Sequence, residues 1–215
     1  MNEEQVMIQQ MAQDFLAEKT PFAHMEAHDD QPSTHYRANW QASSEQMGWQ
    51  AALIEEEHGG LGLGMVELVL IFEKIGEKMW LSPIFSNVGI TTPLLQFSIS
   101  TTLLTQYLPE IAAGTKVGTC PVPLQMHDPA QSPAELLTVT CTRTASGMQL
   151  QGDYPYVLDV GSADFIVLPA RDVDPQTVRF FIVDLPHADV NITPQYMLDK
   201  TLDMSAVDVS GLTVS

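Results

Sequence analysis

The stretch MGWQAALIEEEHGGLGLGMVELVLIFEKIG, residues 47–76, carries most of the information about the fold of this chain. Its last part begins a segment, residues 65–79, that would be apolar on most faces if it were helical. This pattern predicts a helix at the centre of a bundle. The preceding GGLGLG, residues 59–64, predicts a tight turn, and the short apolar AALI, residues 51–54, predicts an extended segment. The glycine spacing differs from GxGxxG, and Glu55, Glu56 and Glu57 would repel a bound pyrophosphate, so a structural turn is favoured over a dinucleotide site.

Helical patterns flank this stretch on both sides. Residues 3–18 place two adjoining apolar rows on one helix, Met7/Met11/Phe15 and Ile8/Ala12/Leu16. Residues 36–47, 87–97 and 100–113 are further helix candidates, with Gly48 and Gly114 as C-terminal stops, and the polar residues 26–35 predict a solvated connector. The first half of the chain is therefore predicted to be all-α.

After Gly114 the apolar pattern changes from the helical period to a period of two. Leu137, Val139 and Cys141 alternate with threonines, as expected of a half-buried strand. Further strand candidates are residues 148–152, 156–158, 165–168, 178–183, 190–193 and 207–214. We therefore predict an α+β chain, with an N-terminal all-α helical bundle over residues 1–114 and a small antiparallel β-barrel or sandwich over residues 115–215.

Composition excludes several classes of protein. The 215 residues are 45% hydrophobic, which is typical of a globular chain, and 27 acidic against 9 basic side chains give a net charge of −18. Such a charge repels nucleic-acid phosphates and anionic lipid surfaces. No apolar run approaches the length of a membrane span, and the first residues, MNEEQV, are acidic where a signal peptide is basic. We expect no nucleic-acid partner, no membrane span and a cytoplasmic location.

The residue chemistry alone predicts neither a catalytic constellation nor a metal site. His24 and His28, four residues apart, are the candidate metal ligands, but they lie in an acidic connector without an orienting shell. Ser146 sits in a predicted hairpin turn, and Asp199 and Asp203 flank a predicted charged turn. Cys120 and Cys141 form no CxxC pair, which predicts two buried free thiols.

Four segments resemble the flavin-dependent acyl-CoA dehydrogenase family. Residues 47–76 are similar to its Gly-Trp, Pro-Glu-Glu-x-Gly-Gly-x-Gly turn and apolar helix ending in Glu-x-x-Gly. QYLPEIAAGTKVG, residues 106–118, resembles the segment that leads into the family's middle β domain. LQGDYPYVLDVGSADFIVLPAR and FFIVDLPHADVNITPQYMLDKT, residues 150–171 and 180–201, resemble strands of that domain. The resemblance covers nearly the whole chain.

This resemblance implies FAD as cofactor and an acyl-CoA thioester as substrate, dehydrogenated to a trans-2-enoyl-CoA. It also implies where the cofactor-binding residues lie. The family's Thr-Glu-Pro-x-x-Gly-Ser-Asp segment is replaced here by CPVPLQMHDPAQS, residues 120–132, and its flavin-stacking Trp-Ile-Ser/Thr by Tyr-Val-Leu. The candidate cofactor-binding residues are Leu124, Gln125, Tyr156, Val157 and Leu158.

The family's catalytic glutamate lies in a second helical domain, which the resemblance places after Ser215, so no catalytic residue is assigned within these residues. The favoured interpretation is the N-terminal and middle portion of an FAD-dependent acyl-CoA dehydrogenase. One alternative is a degenerate, non-catalytic subunit that pairs with an active acyl-CoA dehydrogenase subunit in a homo- or hetero-oligomer. The other is an unrelated soluble binding module.

Overall fold

The computed structural model describes residues 1–19, 32–97, 100–122, 133–173, 177–199 and 201–214 of the chain. These residues form two compact units. The helical unit comprises Met1–Val117 together with Asp199–Thr201, and the β unit comprises Gly118–Leu198 and Leu202–Ser215. The predicted α+β class, with helices first and strands after them, is confirmed.

Within the described residues of the helical unit, five α-helices and one π-helical segment are the main elements. The α-helices are α1 Glu3–Lys19, α2 Pro32–Met47, α3 Met65–Glu77, α4 Thr92–Gln96 and α5 Thr101–Ala112, and the π-helical segment Phe85–Thr91 runs directly into α4. Gly48 and Gly114 end α2 and α5 with φ angles of 64° and 71°, so the predicted glycine stops are confirmed. Ser100 caps α5 by accepting the Leu103 amide.

Helix α1 packs beside α3. Gln5 Nε2 donates to Glu67 Oε1 at 3.0 Å, and Gln9 Nε2 donates to Glu73 Oε2 at 3.0 Å, so the two helices run in the same direction. The core beneath them is aromatic, because Phe15 meets the ring of Trp49 edge-on, with ring centroids 5.2 Å apart.

Several predictions for the helical unit were wrong in detail. Of the two rows on α1, Ala12, Phe15 and Leu16 are buried, whereas Met7 and Met11 are exposed. The connector was predicted to extend to residue 35, but α2 begins at Pro32. The AALI segment is not extended: Ala51 ends the 3₁₀ turn Trp49–Ala51, and residues 52–54 form a turn. Ala51, Ala52 and Ile54 are buried and Leu53 is partly exposed, and an apolar run of four residues does not distinguish these conformations.

The part of the β unit that the structure describes contains nine strands in two sheets. They are β1 Gly118–Thr119, β2 Thr140–Thr144, β3 Gly147–Gln151, β4 Asp153–Leu158, β5 Phe165–Asp172, β6 Val178–Asp184, β7 Asn191–Pro194, β8 Met204–Asp208 and β9 Thr213–Val214. The larger sheet contains β1, β5, β6, β2, β3 and β9, and the smaller sheet has the order β4-β8-β7. Most pairs are antiparallel, but β1 and β2 both run parallel to β5.

A single apolar core fills the β unit. Leu150, Val157, Ile166, Leu168 and Val207 are all fully buried members of it. The strand predicted over residues 207–214 is in fact two strands, β8 and β9, separated by a turn at Ser210 and Gly211. The two-residue β1 was not predicted, because two residues are too short to show an alternation.

Two further expectations concern the described residues as a whole. Cys120 and Cys141 are both buried free thiols, as predicted. None of the described helices combines the length and the apolar character that crossing a bilayer requires.

Candidate functional site

A bulge in β4 decides which of its side chains reaches the surface. Tyr154 pairs with Val207 and Val157 with Ser205, so Pro155 and Tyr156 together lie opposite one residue of β8. Strict alternation from the buried Tyr154 would turn Tyr156 inward and Val157 outward. The extra residue reverses this, leaving Tyr156 50% exposed and Val157 fully buried.

The side chain of Gln195, just after β7, donates a hydrogen bond to a backbone carbonyl at this bulge. The additional residue leaves a carbonyl without a ladder partner, and Gln195 Nε2 donates to Pro155 O at 2.8 Å. Gln195 follows Pro194, the last residue of β7. The backbone N–H of Gln195 donates to Met204 O at the start of β8. The bulge that turns Tyr156 outward is thus supported by a hydrogen bond from the residue after β7, a strand that lies on the far side of β8.

Strand β1 lies against the end of β4. The hydroxyl of the fully buried Thr119 donates to the carbonyl oxygen of Leu158 at 2.6 Å. On its other side, β1 approaches β5 so closely that a Cβ on Gly118 would stand 2.2 Å from the Phe165 ring. A larger residue at 118 would push β1 away, so this glycine is required by a close approach of two strands.

The predicted cofactor-binding residues differ in how far their side chains are exposed, and two of them lie outside the described residues. Tyr156 exposes its ring, Val157 contributes its side chain to the core, and Leu158 is partly exposed with its carbonyl oxygen engaged by Thr119. Leu124 and Gln125 lie outside the described residues, as do His24 and His28. Sequence reasoning did not identify Thr119 or Gln195, whose roles depend on hydrogen bonds between segments far apart in the chain.

Three buried titratable groups of the β unit are uncharged at neutral pH. Burial raises the pKa of the Cys120 thiol to about 12, and burial followed by the charge of Asp172 raises the pKa of Cys141. Burial also raises the pKa of Tyr154, whose hydroxyl donates to Pro169 O at 2.8 Å. All three groups are protonated at neutral pH, so they supply no anionic nucleophile or base.

The carboxyl group of Asp203, close to the turn that follows β4, has a shifted pKa. A Cβ on Gly161, in the turn that follows β4, would lie 3.0 Å from Asp203 Oδ2, and burial raises the pKa of Asp203. The hydroxyl and amide of Thr201 instead bind Asp199 and lower its pKa, as expected of the charged turn predicted there.

These residues fit one face of a flavin ring. An isoalloxazine needs an aromatic or apolar surface and hydrogen-bonding groups at its edge. Tyr156 supplies an exposed ring, but the Thr119 hydroxyl is used by Leu158, and the Val157 and Leu158 side chains carry no polar atom. The described residues thus provide a stacking surface, and neither Val157 nor Leu158 offers a polar side-chain atom for the ring edge.

The glycine turn and its glutamates form a separate surface. A Cβ on Gly60 would stand 1.8 Å from Ile54 O, and Gly59 and Gly62 adopt φ angles of 80° and 61°, so the fold itself requires these glycines. Ligand atoms of Glu55, Glu57 and His58 lie within 4.8 Å of one another. All three are at least partly exposed, and exposed acidic groups often cluster without holding an ion.

Comparison with known proteins identifies the family. A model of the acyl-CoA dehydrogenase N-terminal domain matches residues 2–115. No curated protein sequence matches the chain. Among solved structures, the chain resembles the ChsE4-ChsE5 complex from Mycobacterium tuberculosis, with a TM-score of 0.84 and 18% identity, covering 100% of this chain and 56% of that one.

Two named dehydrogenases share the fold at similar identity. Butyryl-CoA dehydrogenase from Megasphaera elsdenii has a TM-score of 0.77 and 17% identity, covering 100% of this chain and 57% of that one. Acyl-CoA dehydrogenase complexed with FAD from Bacillus anthracis has a TM-score of 0.76 and 22% identity, covering 98% and 36%. The chain thus spans little more than half the length of the first two of these proteins and about a third of the Bacillus anthracis protein. Since the N-terminal domain model matches more than half of its residues, the chain belongs to the acyl-CoA dehydrogenase family.

Proposed function

We propose that this chain forms the helical and β portions of an FAD-dependent acyl-CoA dehydrogenase, with residues 1–114 as its N-terminal domain and residues 115–215 as its middle domain. The observation that carries this proposal is the β4 bulge, which turns the Tyr156 ring outward at the position where the family resemblance expects a flavin-stacking aromatic. The cytoplasmic location stays a prediction.

The reaction removes two hydrogens from adjacent carbons of an acyl-CoA thioester. The α-hydrogen leaves as a proton to a carboxylate base, and FAD, when bound, accepts the β-hydrogen as hydride, which yields a trans-2-enoyl-CoA. In this proposal the β unit contributes Tyr156 as a stacking surface, with the protonated Cys120 and Tyr154 in the interior of the same unit. We place the base outside residues 1–215, as the resemblance implies.

The test measures FAD retained by the purified natural gene product, together with any subunit that accompanies it. Tyr156→Ala removes the exposed ring and is expected to lower the FAD content per chain severalfold. Tyr196→Ala is the matched control, because Tyr196 is 88% exposed in the same unit but lies off the strands. Flavin absorbance and native mass spectrometry report the content. Equal FAD content in both variants and the wild type would contradict the proposal.

A second variant tests whether the outward position of the Tyr156 ring matters as well as the ring itself. Gln195→Met keeps Tyr156 but removes the hydrogen bond to Pro155 O that supports the bulge. We expect FAD retention between those of the wild type and Tyr156→Ala, together with an unchanged circular dichroism spectrum. Bleaching of the flavin by butyryl-CoA or a longer acyl-CoA under anaerobic conditions then reports the chemistry and the substrate class.

The second candidate function is a non-catalytic subunit paired with an active acyl-CoA dehydrogenase subunit. The occupied Thr119 hydroxyl and the apolar Val157 and Leu158 favour it, because these three positions offer no free polar side-chain group to a flavin edge. The similar ChsE4-ChsE5 structure is itself a complex of two proteins. This candidate predicts a stable hetero-oligomer in the native mass spectrum whose FAD content does not change in Tyr156→Ala.

A further inference from the structure

Strand β6 forms one edge of the larger sheet. Its register with β5 is unbroken over its whole length, Val178–Asp184, and no second strand pairs with it among the described residues. Its sequence, VRFFIVD, contains no proline, lysine or glycine. Proteins normally protect an edge with proline, lysine, a bulge or a short strand, because free N–H and C=O groups there pair with other strands. None of these devices protects β6.

The other edge strands that the structure describes do carry such protection. Strand β4 contains Pro155 and a bulge. Strand β7 is 4 residues long and ends at Pro194, and β1 and β9 have 2 residues each. Among the described strands, β6 is therefore the exception, since it combines length, apolar sequence and an open edge.

The hydrogen bonds to β5 show which main-chain groups of β6 face outward. The Asp172 N–H donates to Thr177 O at 2.7 Å, so the odd-numbered residues of β6 face β5. Pro169, which has no N–H, lies opposite Phe180 and agrees with this alternation. The N–H and C=O groups of Phe180 and Ile182 therefore point away from β5, and no hydrogen bond within the described residues uses them.

An extended strand matches these groups, whereas a helix does not. A helix bonds its own N–H and C=O groups internally, so the further helical domain that the family resemblance implies has none to offer at this spacing. The last described strand, β9, lies at the opposite edge of the larger sheet. The occupant that fits β6 is therefore an extended segment that adds a strand to the sheet.

Strand β6 is complementary to itself. When two antiparallel copies overlap fully around a two-fold axis at Phe181, Phe180 lies opposite Ile182 of the second copy. These are the residues whose main-chain groups face outward, so each such pair can exchange both of its hydrogen bonds. The Phe180 ring, 53% exposed, then packs beside an isoleucine. The charges of Arg179 and Asp184 cancel within the strand, so the edge does not repel its own copy.

We propose that two copies of this chain associate through β6, which pairs antiparallel with β6 of the second copy and joins their larger sheets into one. The net charge of −18 on each copy opposes this contact at longer range, and salt screens the repulsion. The association therefore becomes stronger as the ionic strength rises, whereas a contact held by ion pairs becomes weaker. This inference goes beyond the proposed function and requires no flavin.

The experiment measures self-association of the purified natural gene product, together with any subunit that accompanies it. Sedimentation velocity and native mass spectrometry over a dilution series report how many copies each assembly contains. We expect an assembly that separates into halves on dilution, with a severalfold lower dissociation constant at an ionic strength of about 0.15 M than at about 0.01 M.

Two variants of β6 locate the contact. Ile182→Pro removes an outward N–H and leaves the bonds to β5 in place. Phe180→Lys makes the chain less negative, so a general charge effect would strengthen association, whereas loss of strand pairing weakens it. We expect both to raise the dissociation constant by about tenfold or more. Tyr196→Lys is the matched control, because it makes the same charge change at an 88% exposed tyrosine outside the strands.

Amide hydrogen exchange measures the edge directly. The N–H groups of Phe181 and Val183 face β5 and are expected to exchange slowly at every protein concentration. Those of Phe180 and Ile182 are expected to exchange quickly in dilute protein and slowly in concentrated protein. A segment of the same chain lying over the edge would instead protect them equally at every concentration. Circular dichroism checks that the variants are folded, and Phe180→Lys decides alone if Ile182→Pro is not.

Each outcome decides the proposal. Weaker association in the folded β6 variants, unchanged association in Tyr196→Lys, and concentration-dependent protection of Phe180 and Ile182 support it. Absence of self-association in the wild type, or equal association in the wild type and Phe180→Lys, overturns it. Protection of Phe180 and Ile182 that dilution does not change also overturns it and assigns the edge to another part of the same protein. None of these readouts involves flavin, so failure here is distinguishable from failure of the proposed function.

Discussion

A single hydroxyl group joins β1 to the end of β4. Thr119 is fully buried, and its hydrogen bond to Leu158 O links two segments that belong to different sheets. Removing the hydroxyl leaves a part-buried carbonyl oxygen without this donor.

Replacing Thr119 by valine keeps the shape and removes this donor. We expect Thr119→Val to lower the free energy of unfolding by about 1–2 kcal/mol in urea titrations. Thr138→Val is the control, because the Thr138 hydroxyl also donates to a carbonyl, Asp153 O at 2.7 Å, but at an exposed site. Its cost is expected to be less than half as large. An equal loss of unfolding free energy in the two variants would contradict a larger contribution from the Thr119 hydrogen bond.

The buried thiol of Cys120 makes stability depend on alkaline pH. Burial raises its pKa from 9.0 to about 12, so the unfolded chain releases this proton at lower pH than the folded chain does. The contribution is complete below pH 9 and is lost as the pH rises from about 9 towards 12, by at most about 1.4 kcal/mol per pH unit.

The Cys120→Ala variant tests this dependence. It lacks the titrating group but retains Cys141 and Tyr154, whose pKa values burial also raises. Between pH 8 and pH 10.5, the urea midpoint of the wild type is expected to fall more steeply than that of the variant. Parallel curves for the two proteins would contradict the assignment. Alkylation of the wild-type thiols by iodoacetamide should likewise be slow until urea is added.

Helix α3 has room for a methyl group at Gly76. A glycine within a helix costs about 0.5–1 kcal/mol relative to alanine, and nothing described lies within 4 Å of the new Cβ. We expect Gly76→Ala to raise the free energy of unfolding by about this amount, measured by helix ellipticity in urea. Gly89→Ala is the contrast, since its Cβ would lie 3.0 Å from the Phe72 ring. A larger gain from Gly89→Ala would refute the reasoning.

The elements that the sequence predicted well are those with a clear period and a clear stop. Helix α5 has a capping Ser100 and a terminal Gly114, and the hairpin from β2 to β3 has its turn at Ser146. The β4 bulge could not be predicted, because residues 154–158 show no alternation that places the extra residue. The π-helical segment after Ile84 was predicted as ordinary helix, since seven residues that run directly into an α-helix are too few to show a separate period.

At the scale of the molecule, the change from helices to strands near residue 114 was visible in the sequence, and the exposure of α3 was visible only in part. The sequence of α3 predicted a helix at the centre of a bundle, because it is apolar on most faces. The structure leaves Met65, Val66 and Val69 exposed among the described residues. How many neighbours cover a helix depends on long-range packing, which local periodicity does not encode.

This exposure predicts dye binding by the 215-residue chain made alone. A neutral dye such as Nile red is suitable, because the net charge of −18 would repel an anionic one. We expect fluorescence enhancement on adding the folded chain, and a clearly smaller one for the double variant Val66→Ser and Val69→Ser. A monodisperse monomer without any dye response would show that no apolar surface is accessible.

The assignment of Asp199–Thr201 to the helical unit has a consequence for biosynthesis. Tyr36 on α2 donates its hydroxyl to Thr201 O, yet Asp199 emerges from the ribosome 82 residues after Val117. At about 5–20 residues per second, that interval lasts roughly 4–16 s. During this time the helical unit is incomplete while most of the β unit is being made. The nascent chain therefore completes its first unit only after residues 118–198 of the β unit have been made, and a ribosome stalled between these points holds a helical unit that still lacks its last segment.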